Sequence, residues 1–354
     1  MARPSRSDEI DAAALRAVGE HPRDLVSMVA AQLGLSRARV NTQVRALVES
    51  GYLRSTGGTR PVYQRGPHRK FSRRYPRVGL AEDRVWFQDL QPLLDDLPRN
   101  VLDIAHHGVT EMVNNAVDHS DGQTVQVQMD CDAERLLLAI DDDGIGIFRK
   151  ITRALDLPDQ RLALLELSKG KLTTDPTRHS GEGIFFTSRA FDRFQIQSSG
   201  LHFDHDHRHD DDWLDELETH PGDGGTAVYM ELARDSARRI GEVFDAFSSG
   251  PDDYDFAKTV VPVRLARVGD ENLVSRSQAK RLLQRVERFR SVVLDFEQVS
   301  GIGQAFADEI FRVFANAHPE VELMAVNAVP EVQQMIRRAE VARDAQGGQL
   351  PLLR

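Results

Sequence analysis

The 354-residue sequence holds one cysteine, Cys131, so it can form neither an internal disulfide nor a cysteine-built zinc site. Long apolar runs are also missing. The longest, Leu136–Ile140, falls far short of the ~20 residues of a membrane-spanning helix. The amino-terminal stretch Met1–Asp8 is rich in Arg and Ser and lacks the apolar segment of a secretory signal. There is no HExxH pair and no long heptad run, so neither the common zinc-helix signature nor an extended coiled coil is present. What remains, 40% hydrophobic and 28% charged residues, is an ordinary globular composition and excludes wholesale disorder. The length predicts two or three domains, and the expected location is the cytoplasm.

Charge is spread unevenly. Up to Gly79 there are 15 Lys+Arg and 6 Asp+Glu, a net of +9, whereas the remaining 275 residues carry 30 and 49, a net of −19. An acidic body is repelled by phosphate, so contact with DNA is expected only in the basic N-terminal segment.

Within that segment, Glu9–Val18 and Asp24–Leu33 have helical apolar spacing, and Gly34 ends the second. Ser36 is placed to cap a third helix over Arg37–Ser50, stopped by Gly51. Tyr52–Arg54, Gly57–Gly58 and Pro61–Tyr63 then read as a two-stranded hairpin. This order resembles a winged helix-turn-helix. The resemblance implies that Arg37–Ser50 is the recognition helix. Arg37, Arg39, Asn41, Gln43 and Arg45 would then offer donors to bases and phosphates, with Arg54 and Arg60 flanking the wing tip. A winged helix that binds protein is the alternative. Arg65–Arg77, basic and containing Pro67 and Pro76, reads as a linker able to lie along a phosphate backbone.

Leu102–His119 is a helix by its apolar spacing, and Glu111 and Asn115 lie one turn apart on one face. A carboxamide there suits Mg²⁺, and a carboxylate can polarise an attacking water or hydroxyl. Two strands, Thr124–Asp130 and Arg135–Ile140, lead into Asp141-Asp142-Asp143-Gly144-Ile145-Gly146. Ser180-Gly181-Glu182-Gly183 then opens an apolar helix, whose free N–H groups favour an anion, and a further strand begins Gly225-Thr226. Four such boxes in this order resemble the GHKL (Bergerat-fold) ATPases, over roughly Val85 to Leu232. The resemblance implies Glu111 as general base and Asn115 as Mg²⁺ ligand. It also implies Asp142 with Gly144 and Gly146 at adenine, Gly181 and Gly183 at the phosphates, and Thr226 near adenine. Leu155–Ser180 would be a lid, with Lys169, Lys171 and Arg178 near the γ-phosphate. Asn114 departs from the aspartate common in gyrase-type members, and His119-Ser120 is closer to the kinase-like branch. No helix with a phosphoacceptor histidine precedes this segment, which argues against histidine autophosphorylation.

The run Leu201–His220 alternates five histidines with aspartates and reads as a solvated hairpin loop, with adventitious Zn²⁺ or Ni²⁺ binding as the alternative. After a helix over Asp235–Phe247 and a turn-rich Ser248–Asp255, strands and helices alternate, which predicts a mostly parallel sheet. Val292–Val299 with Gly301-Ile302-Gly303, and then Ala305–Phe311, resemble STAS-type domains. The residue pattern at the usual phosphoacceptor is Gly303-Gln304-Ala305, which has no serine there.

The expected fold is therefore α+β and multi-domain. A winged helix (residues 1–66) and a basic linker (67–84) precede a GHKL α/β sandwich with helices on one face of a mixed sheet (85–247), and a small STAS-like α/β domain (256–345) follows. The expected function is an ATP- and Mg²⁺-binding transcriptional regulator. The alternative is an anti-sigma-factor-type serine/threonine kinase or slow ATPase acting on a separate protein. Expected partners are DNA through the N-terminal domain and a protein or second protomer through the other two, with no membrane.

Overall fold

The computed structural model describes residues 6–172, 181–207, 211–216, 224–250, 253–268 and 271–347. Helices α1 (Arg6–Ala17), α2 (Leu25–Leu33) and α3 (Arg37–Glu49) enclose a small core of Ile10, Leu25, Val29, Val40, Val44 and Leu47. Gly34, at φ +65°, ends α2, and Ser36 Oγ accepts from Arg39 N to cap α3. Strands β1 (Leu53–Thr56) and β2 (Val62–Arg65) form the antiparallel wing.

The stretch expected to be a linker is instead strand β3 (Arg69–Pro76), the edge of a seven-stranded sheet. Arg69, buried, donates to Leu93 O and pairs with Asp96, and the Tyr75 hydroxyl donates to Asp89 at 2.6 Å. Lys70 and Arg73 pair with Asp130 and Asp89, and Arg74 reaches Gln126. Carboxylates distant in sequence take up the cations that made this segment look solvated, so the linker reading of 67–84 is withdrawn. A short helix α4 (Glu82–Arg84) continues through further helical turns to Leu93 and packs Trp86 and Leu90 into the core.

The long helix α5 (Arg99–His119) follows, then β4 (Thr124–Cys131), β5 (Arg135–Asp142), α6 (Ile147–Ala154), α7 (Arg161–Lys169) and α8 (Gly183–Ala190). Strands β6 (Arg193–Ser198), β7 (Leu201–Asp206), β8 (Asp211–Glu216) and β9 (Thr226–Ala233) complete the sheet, in the order β3-β4-β5-β9-β6-β7-β8. Every neighbouring pair is antiparallel, where a mixed sheet was expected. Alternation explains the layering: Val125, Val127, Met129 and Cys131 face α5 in the core while Gln126 and Gln128 point away. The histidine-rich run lies largely on β7 and β8 themselves, not in a loop, and Asp204 there accepts from Arg193. His207 lies in the turn after β7, residues 208–210 and 217–220 lie outside the described residues, and among those described no cluster suited to a metal is found. The helix expected from Asp235 is the shorter α9 (Ile240–Asp245).

A hairpin of β10 (Ser248–Gly250) and β11 (Asp253–Phe256) leads into the last unit. There β12 (Lys258–Pro262), α10 (Arg276–Leu283), β13 (Ser291–Asp295), α11 (Gln304–Asp308), α12 (Ala315–Ala317), β14 (Glu322–Val326) and α13 (Pro330–Gly347) alternate around a three-stranded parallel sheet. Among the described residues no helix is long and apolar enough to cross a membrane.

Candidate functional site

Helix α5 buries Ile104, Val109, Met112, Val113 and Ala116 against the sheet, which turns Glu111, Asn114, Asn115 and His119 toward a cavity of about 300 Å³. Of the residues expected at a nucleotide, Glu111, Asn115, Asp142, Gly146, Gly181, Gly183 and Thr226 all line this one cavity. Gly144 does not. It packs beneath, where a Cβ would lie 2.0 Å from Ser120 O, and Ile145 N donates to that same carbonyl. Its role is to let the β5–α6 turn close on the end of α5.

At one end of the cavity Asp142 finishes β5 directly opposite Thr226 of β9. Gly144 N donates to Asp142 Oδ1 at 2.9 Å, and Ile147 N donates to Thr226 Oγ1 at 3.0 Å. Burial dominates the electrostatics and pushes the Asp142 carboxyl up to about 6, against the pull of backbone N–H groups. A half-buried carboxyl with accepting capacity left over suits an exocyclic amino group. Gly146 (φ +89°) has no room for a side chain, since a Cβ would meet Ser198 Oγ and Ser199 Oγ at 2.6 Å.

At the other end a Cβ on Gly183 would lie 2.0 Å from Glu111 Oε2, so the first turn of α8 sits directly on that carboxylate. Leu172 N donates to Gly181 O at 3.0 Å and draws together the two ends of the segment between α7 and α8. Asn115 Nδ2 is buried with no hydrogen-bond partner among the described residues. A buried unsatisfied amide on a cavity wall calls for a ligand, and a rotated amide would present its oxygen there. The donor set, with Asn115 beside Glu111 and the α8 amides, fits a Mg²⁺-bound phosphate chain.

The lysines expected to reach a γ-phosphate behave differently. Lys169 is fully buried on α7, paired with Glu166 and donating to carbonyls of the last unit. Lys171 donates to Arg288 O and sits over the rings of Phe256 and Phe289. Both are therefore removed from the phosphate set, and Arg178 lies outside the described residues. The cavity's cation is one the sequence reading missed: Lys150, the only Lys or Arg among its described lining residues. It donates to His119 O at 2.6 Å and pairs with Asp121 at 3.0 Å. The available signal was its spacing, four residues past Gly146 and so on the face of α6 that follows from the glycine turn.

On the winged domain, Arg37, Arg39, Arg45, Arg54 and Arg60 are exposed, and none forms an ion pair among the described residues. Asn41 is half-buried. Gln43 is turned aside and donates to Asp11 of α1 at 3.1 Å, so it braces the helix pair and does not belong with the base-facing residues.

Three family models match the chain. They are an IclR helix-turn-helix domain over residues 12–57, a histidine kinase-like ATPase domain over 78–202, and a STAS-like domain of unknown function over 278–333. A search of curated proteins gives no match. The ATPase match begins just after β3 and ends on β7, while the sheet takes in both of those strands as well as β8 and β9. The chain thus joins an IclR-type helix-turn-helix, a GHKL-like ATPase domain and a STAS-like domain, in that order.

Proposed function

We propose that the protein is a cytoplasmic ATP-binding transcriptional regulator in which Mg-ATP in the α5–α8 cavity alters how the helix-turn-helix domain engages DNA. The observation that carries this reading is the convergence of seven residues from four separate stretches of chain on a single cavity. Asp142 would accept from the adenine amino group and Thr226 would lie beside the ring. Amides at Gly181, Gly183 and the start of α8 would face the phosphates, and Asn115 would hold the cation. Bound Mg²⁺ supplies charge neutralisation along the phosphate chain. On the other side, exposed arginines of α3 and the wing would meet the DNA.

A physical connection joins the two. Only residues 66–68 separate the wing from β3, Arg65 donates to Pro92 O, and Arg234, just after β9, reaches this connection by donating to Pro67 O at 3.5 Å. Tight binding alone shifts nothing; nucleotide must favour one arrangement of the domains over another. The test measures DNA affinity with and without Mg-ATP, for the wild type and for Asp142→Asn. The expected result is a nucleotide-dependent change in the wild type that the variant loses. ATP binding that leaves both DNA affinity and oligomeric state unchanged would overturn the reading.

Glu111 on the cavity wall favours a second reading, a serine/threonine kinase of the anti-sigma-factor type or a slow ATPase acting on a protein partner. ADP release or label transfer to a partner that disappears in Glu111→Ala, with ATP binding retained, would establish it.

A further inference from the structure

Helix α7 walls the nucleotide cavity through Leu167, and the residues just after it contribute Leu172. Its other side is polar and buried: Glu166, Ser168 and Lys169 are 1%, 5% and 0% exposed. Ser168 Oγ donates to Leu165 O within the helix, whereas Glu166 and Lys169 find partners in the STAS-like unit. Lys169 Nζ donates to Glu166 Oε1 at 2.6 Å, to Gln284 O at 2.9 Å and to Arg281 O at 3.2 Å. Arg285 follows the end of α10 and donates to Glu166 Oε2 at 2.9 Å and to the carbonyls of Gly170 and Lys171. Thr259, fully buried on β12, donates to Lys169 O at 2.7 Å.

Two non-glycine residues in this contact adopt left-handed backbone, Lys171 at φ +49° and Arg285 at φ +67°. Such conformations persist where the surroundings over-determine them. Gly170 (φ +76°) packs so tightly that a Cβ would lie 2.5 Å from the Phe256 ring. A helix needing only to cover the ATPase sheet would have no use for a buried carboxylate and ammonium. Ionic groups removed from water cost more than apolar ones unless every partner is in place. Here every partner is in place only while α10 is docked.

We propose that the STAS-like domain is a working part of the nucleotide site, with Arg285 as a positioning residue that holds α7 and Leu172 in the arrangement able to receive nucleotide. This rests on the reading of the cavity as an ATP site. Docking of the STAS-like domain and binding of Mg-ATP are then coupled and reciprocal: each strengthens the other by the same factor. A protein partner that drew the STAS-like domain away would weaken ATP binding without touching the cavity.

The test has two arms on the full chain. In the first, amide hydrogen exchange is followed with and without Mg-ATP. Slower exchange across residues 281–289, together with protection of α5 and α8, is expected; protection confined to α5 and α8 would overturn the proposal. In the second, Mg-ATP affinity is measured by calorimetry. Arg285→Ala is expected to weaken binding at least about tenfold, with part of the loss restored in Arg285→Lys. An Arg285→Ala protein that melts like the wild type and binds Mg-ATP equally well would refute it. Should Arg285→Ala fail to fold, the exchange arm decides alone. A wild-type protein that binds no Mg-ATP would instead reject the ATP reading, and this proposal with it.

Discussion

Asp141, Asp142 and Asp143 are chemically identical neighbours that the fold places in three electrostatic situations. Asp143 loses some solvent, but amide donors at Gln123 and Thr124 and the Thr124 hydroxyl outweigh this and hold its carboxyl below the ordinary value. Burial pushes Asp141 up, and Oδ1 there has no hydrogen-bond partner among the described residues. Asp142, raised from 3.8 to about 6, is the one aimed into the cavity. Because its folded value lies above its unfolded one, the ionised carboxylate penalises the folded state. That penalty is nearly absent below pH 3.8, builds as pH rises, and is complete above about 6. A shift of this size corresponds to roughly 3 kcal/mol. Asp142→Asn is therefore expected to raise the stability of the nucleotide-free protein by about 1–2 kcal/mol at pH 8, by much less near pH 4, and to weaken ATP binding. Urea unfolding at the two pH values checks this, and an equal gain at both would remove burial of charge as the cause. Lys150 gives a second residue-scale expectation. As the cavity's cation among the described residues, it should matter only to ligands that carry phosphate. Lys150→Met is expected to weaken ATP by about tenfold and to leave adenosine binding unchanged. Equal losses for both ligands would mean that it shapes the cavity only.

Strand β3 shows, at the scale of an element, what could and could not be read from the sequence. The boxes around Glu111, Asp142 and Gly183 were legible because each is local: a helical stripe, a strand followed by glycines, a glycine pair opening a helix. The character of 69–76 was not, because it depends on Asp89, Asp96 and Asp130, which the fold brings in from elsewhere. Composition alone made it a basic linker. Lys169 was misread for the same reason, its acceptor at Gln284 lying 115 residues further along the chain. Phe71 and Tyr75, an even number of residues apart and so on one face of a strand, were its faint trace, and Tyr75, 4% exposed, is its anchor. Tyr75→Ala should cost about 3 kcal/mol, through lost burial and the broken hydrogen bond to Asp89. A solvated linker would lose less than about 0.5 kcal/mol. Chemical denaturation of the full chain separates the two.

The whole molecule has three family matches, but its described residues form two hydrophobic cores. The winged domain closes around its own cluster, centred on Leu25, Val29, Val40 and Val44. The core of the ATPase unit, in contrast, continues into the STAS-like unit through packed rings of Phe185, Phe247, Phe256 and Phe289. The buried Glu166–Lys169–Arg285 contact lies beside this aromatic bridge. Cooperative units follow continuity of packing, not family boundaries. Scanning calorimetry should accordingly resolve two transitions: a small one for the basic N-terminal domain, and a large one in which the ATPase and STAS-like units unfold together. Mg-ATP at a hundred times its dissociation constant should stabilise the large unit by about 2.7 kcal/mol and move its midpoint up by several degrees. The smaller transition should respond to nucleotide only as far as the contacts through Arg65 and Arg234 transmit it, and that displacement is a direct measure of the coupling available to regulate DNA binding. A third transition, assignable to the STAS-like unit and indifferent to Mg-ATP, would show that the shared core does not act as one.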